Sequence, residues 1–332
     1  MSCLCFAQDP LRFVFMKPDF LIGRDPGCEL VLERPGISKR HALVRWDGKN
    51  WRVRDLGSRN GTFLRPAGSN TAERVSTENS LPLSRGDHLL FAEQDEAWVI
   101  SGVEPPCSLL VQEGAGPSGA IILDPKGLLA LPTELEPLAT FYRDARTERW
   151  VVEEEAGSGS RTLADGDSIF VAGKVYRMHI VESADTQEIS SSPLGPSLAD
   201  GTLLLWPSAD EESAALAYQL ARGASHAPQR AHLYLLLHLA RRRIADSLHH
   251  GKSEDESGWL STHELQNQLG YSTPEHLAVD VFRCRQELKA LGVADSTAIV
   301  DRGRRGHLRI GLGADKLKVE AADVERGMDA SP

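Results

Sequence analysis

Three short segments decide the reading of the first hundred residues: Phe20-Leu21-Ile22-Gly23-Arg24, Ser38-Lys39-Arg40-His41 and Ser58-Arg59-Asn60-Gly61-Thr62. Each lies where one strand ends and the next begins. The surrounding chain alternates short apolar runs, such as His41–Trp46, Trp51–Arg54, His88–Phe91 and Trp98–Ile100, with turn pairs such as Asp47-Gly48 and Asn60-Gly61. Many short strands punctuated in this way predict an all-β sandwich. At one end of such a sandwich an Arg, a Ser and an Asn converge, a set that suits a dianion held beside a peptide backbone.

A phosphothreonine brings about −1.5 to −2 charge and three acceptor oxygens. Arg24 offers a planar fork of donors to such a group, Ser38 a short hydroxyl and Lys39 a backbone amide. Gly23 and Gly61 serve backbone conformation. His41 is expected to brace the loops from beneath, Thr62 to hold its own loop, and Arg40 and Arg54 to be solvated charges. In order and spacing these motifs resemble the forkhead-associated (FHA) domain along residues 1–105. The resemblance implies a β-sandwich whose loops bind phosphothreonine peptides. It places Arg24 and Ser38 on the phosphate, Arg59 beside it, and Asn60 on the main chain of the bound peptide. The implied partner is a phosphothreonine-containing protein, either a Ser/Thr kinase or its substrate.

The chain has 332 residues, room for two or three domains. With 41% apolar and 25% charged residues it is ordinary for a globular protein. A net charge of −10 argues against indiscriminate coating of nucleic acid, but not against a locally basic face. No apolar run reaches the ~18 residues of a membrane span, and Met1-Ser2-Cys3-Leu4-Cys5 lacks the features of a signal peptide. Cys3, Cys5, Cys28, Cys107 and Cys284 fit neither a disulfide framework nor a zinc site. A cytoplasmic protein without membrane contact, metal or cofactor is expected.

Residues 107–184 are again strand-like. Trp150-Val-Val-Glu153 followed by Leu163-Ala-Asp-Gly-Asp167 echoes Trp51-Arg-Val-Arg54 followed by Leu83-Ser-Arg-Gly-Asp87. The segment is either a degenerate FHA-like copy or an unrelated β meander. It lacks counterparts of the three loop motifs, so no ligand is expected there. Residues 185–200 are Ser/Pro-rich and read as a linker.

From 201 to 315 the pattern turns helical. Leu233, Leu236, Leu237, Ala240, Ile244 and Leu248 share one face of a helix. Ser261-Thr-His-Glu264 is a capping box that starts a second helix, ending near Gly270. A third starts with Thr273 as N-cap and Pro274 in its first turn. Ala298–Val300, Arg302–Gly306 and His307–Ile310 then read as strand, tight turn, strand. Helix propensity favours a helix over Ala214–Leu220, although Leu203–Trp206 looks like a strand. Residues 316–332 read as a solvated tail.

This order resembles the winged helix-turn-helix output domain of the OmpR/PhoB type. The resemblance implies strands within 201–222, a third helix in the DNA major groove and a wing near the backbone. Leu277, Val281, Cys284, Leu288 and Leu291 form the buried stripe of that helix. His276, Val279, Arg283 and Gln286 lie opposite, and Arg283 and Gln286 are candidates for base edges. Arg285 is either a DNA contact or structural. Arg302, Arg304 and Arg305 are wing candidates for phosphates. Seven Lys/Arg against six Asp/Glu between Ser261 and Leu312 is a weakly basic footprint for DNA binding.

Gly114-x-Gly116-x-x-Gly119 has no helix after it, Gly157-x-Gly159 lacks the Lys of a phosphate loop, and His249-His250 has no clustered ligands. No catalytic constellation is visible, so neither an enzyme nor a small-molecule substrate is expected. The fold class expected is multidomain: an FHA sandwich, a second β-rich domain and an α+β winged helix. The function expected is coupling of Ser/Thr phosphorylation to a DNA-binding output. The alternative is an FHA adaptor whose winged helix contacts protein.

Overall fold

The computed structural model describes residues 1–92, 96–154, 160–181, 195–248, 252–271, 274–303 and 306–320. The chain divides into two compact units: Met1–Leu123 with Ala164–Ile189, and Asp124–Leu163 with Ser190–Pro332. The 107–184 segment is therefore shared between them.

The first unit opens with eleven strands: β1 Cys3–Phe6, β2 Asp9–Phe15, β3 Asp19–Gly23, β4 Leu30–Val31, β5 Ala42–Trp46, β6 Trp51–Asp55, β7 Thr62–Arg65, β8 Glu73–Arg74, β9 Leu81–Pro82, β10 His88–Phe91 and β11 Ala97–Ile100. They form two sheets, β2-β1-β11-β10-β7-β8 and β4-β3-β5-β6-β9. Period-two alternation turns Phe20, Ile22, Val44, Trp51 and Val53 inward from one sheet, against Leu4, Leu64, Leu89, Phe91 and Trp98 from the other. The result is an all-β sandwich.

The unit also holds β12 Leu109–Gln112, β13 Ala120–Ile122, β18 Ser168–Val171 and β19 Lys174–His179, in the order β13-β12-β19-β18. The second unit holds β14 Leu128–Pro132, β15 Pro137–Arg143, β16 Trp150–Glu154 and β17 Ser160–Thr162, in sequential order. These two sheets repeat the strand orders β2-β1-β11-β10 and β3-β5-β6-β9 of the sandwich. Their hydrogen bonds repeat too. Leu83 N donates to Trp51 O at 2.8 Å, and Leu163 N to Trp150 O at 2.8 Å. Gly86 N reaches Ile100 O and Gly166 N reaches Met178 O, both at 2.8 Å. Ser84 N meets Asp87 Oδ2 at 2.7 Å, and Ala164 N meets Asp167 Oδ2 at 2.9 Å. Between β6 and β9 the chain has twenty-five residues, between β16 and β17 only five. The shorter interval has no room for counterparts of β7, β8 and the Ser58–Thr62 loop.

The remainder of the second unit contains β20 Thr202–Pro207, β21 Ala214–Leu220, β22 Gly223–Arg230, β23 Leu260–Ser261, β24 Val300–Arg302, β25 His307–Ile310 and β26 Leu317–Val319, with helices α1 Leu233–Ser247, α2 Thr262–Leu269 and α3 Pro274–Ala290. Ala214–Leu220 is a strand, not the helix that propensity favours. It pairs with β20 on one side and β22 on the other and buries Leu216 and Tyr218, so tertiary pairing overrides local preference. Residues 317–319 are no solvated tail, since they pair in parallel with β20. The capping box of α2 is formed: Glu264 N donates to Ser261 Oγ at 3.1 Å and Ser261 N to Glu264 Oε2 at 2.9 Å. Gly270 ends that helix at φ 70°. The expected N-cap Thr273 lies outside the described residues. Leu236 and Ala240 of α1 meet Leu277, Val281, Cys284 and Leu288 of α3 in one core, with Leu308 and Ile310 of the sheet β23-β25-β24.

Helix α3 has a second buried stripe. Val279, Phe282 and Arg285 are 6%, 2% and 1% exposed, and α3 packs on β15. Arg285 is therefore no DNA contact. Its Nη1 and Nη2 donate to Glu153 Oε2 and Oε1 at 2.7 and 2.9 Å, and Nη2 also meets Val300 O at 3.0 Å. Tyr142 donates to Glu153 Oε1 at 2.7 Å and lays its ring 5.0 Å from the Arg285 guanidinium. Arg302, expected on the wing surface, turns inward and places Nε 2.8 Å from Glu153 Oε2. Burial alone would raise the pKa of Glu153, but Arg285 and Arg302 bring it down to about 2.

Replacing Glu153 with Gln leaves two guanidiniums without an anion. Such a loss is expected to cost about 3–5 kcal/mol, measured by urea denaturation with hydrogen exchange read at the α3 amides. Arg302→Ala keeps the bidentate pair and should cost less. Because the folded pKa of Glu153 is depressed, its contribution is complete above the ordinary value of 4.5 and is lost as pH falls toward about 2.

Candidate functional site

The three loop segments meet at one end of the sandwich, and backbone contacts explain why. At Gly23 a Cβ would stand 2.1 Å from Lys39 O, so only glycine lets the first segment press on the second. Arg24 N then donates to Ser38 O and Asp25 N to Lys39 O, both at 3.0 Å.

His41, fully buried, ties the second segment to the third. Its Nδ1 accepts from Ser38 N at 3.1 Å and its Nε2 donates to Gly61 O at 3.0 Å. That pair of bonds defines the neutral ring with its proton on Nε2. Phe91 packs edge-on against it, centroids 5.7 Å apart. Burial lowers the His41 pKa, against the Gly61 carbonyl and the Asp55 charge.

The third segment is wound around Asp55, only 4% exposed. Oδ1 accepts from Gly57 N and Ser58 N at 2.9 and 2.8 Å. Oδ2 accepts from Ser58 Oγ and Thr62 Oγ1 at 2.6 and 2.7 Å. Burial pushes this carboxyl up, and the hydroxyls of Ser58 and Thr62 with the two amides hold it below its usual value. Ser58 Oγ accepts in turn from Gly61 N at 3.0 Å, where Gly61 adopts φ 86°. Neither Asp55 nor Ser58 is singled out by the spacing of the three motifs. The signal for them is Asp55-Leu-Gly57-Ser58, the pattern of an Asp side chain closing a turn onto its own backbone.

What remains at the surface is a set of donors. Arg24 is exposed, with Nε 3.3 Å from Ile37 O. Ser38 Oγ accepts from Arg59 N at 3.2 Å, which leaves its own hydrogen for an incoming oxygen. Lys39, Arg59 and Asn60 are exposed, and Asn60 Nδ2 donates to Gly36 O at 2.9 Å. Arg24, Ser38, Lys39, Arg59 and Asn60 are thus brought together, on a frame made by Gly23, His41, Gly61 and Thr62. The arrangement can receive a multiply charged oxyanion from solvent and hold the chain that carries it.

The DNA candidates are not gathered in this way. Arg283 is exposed and Gln286 half-buried, whereas Arg285 and Arg302 are engaged by Glu153. Arg304 and Arg305 lie outside the described residues. A cleft of about 610 Å³ in the first unit lies away from the loops, between Phe13 and Phe15 of β2 and Val111, Met178 and His179, and its lining is mainly apolar.

Asp55→Ala removes the acceptor of four donors and is expected to cost on the order of 3 kcal/mol. Faster amide exchange at Gly57, Ser58 and Gly61 would register the loss. The lowered pKa of His41 means that the unfolded chain takes up its proton first. The sandwich should therefore lose stability as pH falls through 6.5, a trend measurable by urea denaturation across that range.

Comparison with known proteins bears on residues 20–92, which match the family model for the FHA domain. FhaB of Mycobacterium tuberculosis, an FHA domain-containing protein, is 44% identical over 64 residues, 19% of this chain and 41% of that protein. The glycogen accumulation regulator GarA of Mycolicibacterium smegmatis is 38% identical over 53 residues, 16% of this chain and 34% of that protein. The chain thus spans less than half the length of these relatives. Among solved structures, Mycobacterium tuberculosis EmbR in complex with a low-affinity phosphopeptide aligns with a TM-score of 0.26 and 23% identity, over 31% of this chain and 26% of that one. Residues 20–92 of this chain form an FHA domain.

Proposed function

We propose that the protein reads phosphothreonine peptides in a cytoplasmic signalling pathway, as a binding module and not as an enzyme. The observation that carries this reading is the convergence of Arg24, Ser38 and Asn60 on one face, fixed by the bonds of His41 and Asp55. A phosphate accepts from the Arg24 guanidinium and the Ser38 hydroxyl as charge-assisted bonds. Asn60 would meet the peptide main chain, Lys39 would offer its backbone amide to the phosphate, and Arg59 would add positive charge beside it. The partner is a Ser/Thr kinase or a protein that such a kinase modifies.

The 107–184 segment is, in this reading, a degenerate copy of the FHA domain. The matched strand orders and the matched turn bonds at Leu83–Asp87 and Leu163–Asp167 support it. The C-terminal part is a winged helix, supported by strands over 202–220, three helices in order and the β24–β25 pair. As an output to DNA it would use Arg283 and Gln286 of α3 together with the wing.

A second reading, an adaptor whose winged helix contacts protein, is favoured by a specific observation. Val279, Phe282 and Arg285 of α3 are already buried, with Arg285 held by Glu153 of β16. A helix sealed along that stripe offers little for a major groove.

Arg24→Ala or Ser38→Ala should abolish binding of a phosphothreonine peptide library by the full chain, with unchanged thermal unfolding. Retained binding in both variants would sink the site assignment. For the output, DNA pull-down with sequencing should enrich specific sites that Arg283→Ala loses, if the DNA reading holds. No enrichment, with or without phosphopeptide, leaves the adaptor.

A further inference from the structure

The charge around the FHA loops exceeds what one phosphate requires. Between Arg34 and Arg74 the sequence carries ten Lys/Arg against three Asp/Glu, in a chain of net charge −10. Two of those three acids are spent locally. Asp55 is buried under four donors, and Asp47 accepts from the amides of Lys49 and Asn50 at 2.9 and 2.7 Å. Glu73 precedes Arg74 on β8, so its side chain leaves the strand on the other face.

Five cations stand exposed on this basic segment and beside it: Arg24, Lys39, Arg40, Arg59 and Arg74. Among the described residues none of the five has a carboxylate partner. Exposed arginines that do find a carboxylate, such as Arg45 with Asp19 at 2.5 Å and Arg177 with Glu113 at 3.3 Å, show what these five lack.

Close approaches tie Lys39, Arg40 and Arg74 to the site. Arg40 Cα stands 3.1 Å from the point where a Gly23 Cβ would be, and Lys39 O 2.1 Å from it. Arg74 Nε lies 2.9 Å from the corresponding point at Gly61. Arg40 thus adjoins the first segment and Arg74 the third, with Arg24 and Ser38 as the phosphate position. Like charges held within a Debye length of about 8–10 Å repel one another, which opposes the folded state unless an anion joins them.

We propose that the ligand of this face is a polyanionic phosphopeptide, one phosphothreonine with at least one further anionic residue that Arg40 and Arg74 receive. This rests on the phosphothreonine reading above and adds the class of peptide. The second anion is either a carboxylate or another phosphate, and both place negative charge beside an already bound phosphothreonine.

The test uses the full chain and one peptide sequence in four forms: unphosphorylated, with a single phosphothreonine, with that phosphothreonine and flanking glutamates, and with two phosphothreonines. Calorimetry at low and high salt gives the affinities. A second anion should raise affinity about tenfold, the effect of two or three exposed ion pairs, and steepen the salt dependence. In Arg40→Ala/Arg74→Ala the gain should vanish, while the singly phosphorylated peptide binds within about twofold of wild type. Glutamates and the second phosphate acting alike would identify charge as the feature read, and a gain from the phosphate alone would assign the subsite to phosphate. Equal affinity for the single and doubly anionic peptides overturns the proposal while the phosphothreonine reading stands. Absence of binding by every phosphorylated form overturns both. A duplex DNA oligonucleotide that binds wild type and not the double variant, with no gain among peptides, would assign the basic face to nucleic acid instead.

Discussion

One buried imidazole holds the recognition face together. His41 accepts from the Ser38 amide and donates to the Gly61 carbonyl, so two loops separate in sequence share one rigid support. The ring can do this only when neutral, and its burial against Phe91 keeps it so. Asp55 completes the frame by drawing four donors of the third segment onto one carboxylate. With the frame satisfied internally, the outward donors are preorganised, and little conformational entropy is lost when a ligand arrives.

A second buried polar cluster shapes the other unit in a different manner. Glu153 is removed from water and survives as an anion because two arginines and a tyrosine surround it. Such a cluster is weak as a source of net stability and strong as a determinant of geometry, since either charge alone would be intolerable there. It fixes the register of α3 against β15 and β16. It also removes Arg285 and Arg302 from the surface where a nucleic acid would meet them.

The repeated turn bonds show that the same framework turn is built twice in this chain. Leu83–Asp87 and Leu163–Asp167 close the same turn with the same donors and acceptors. These bonds are local to the framework strands. The Ser58–Thr62 loop sits in the long β6–β9 interval, while the interval between β16 and β17 is five residues, so the same framework turn occurs with and without such a loop.

The sequence by itself determined the sandwich and the convergence of Gly23-Arg24, Ser38–His41 and Ser58–Thr62. Alternation with period two, turn residues with positive φ and short-range capping are all written in neighbouring positions. The capping box at Ser261 and Glu264 was legible for the same reason. Tertiary structure alone decided that Ala214–Leu220 is a strand, because pairing with β20 and β22 outweighs its helix propensity. It alone decided that Arg285 is buried, because the anion that holds it lies 132 positions away along the chain. The helix periodicity of α3 marks one buried stripe, and nothing local announces a second that depends on a distant sheet.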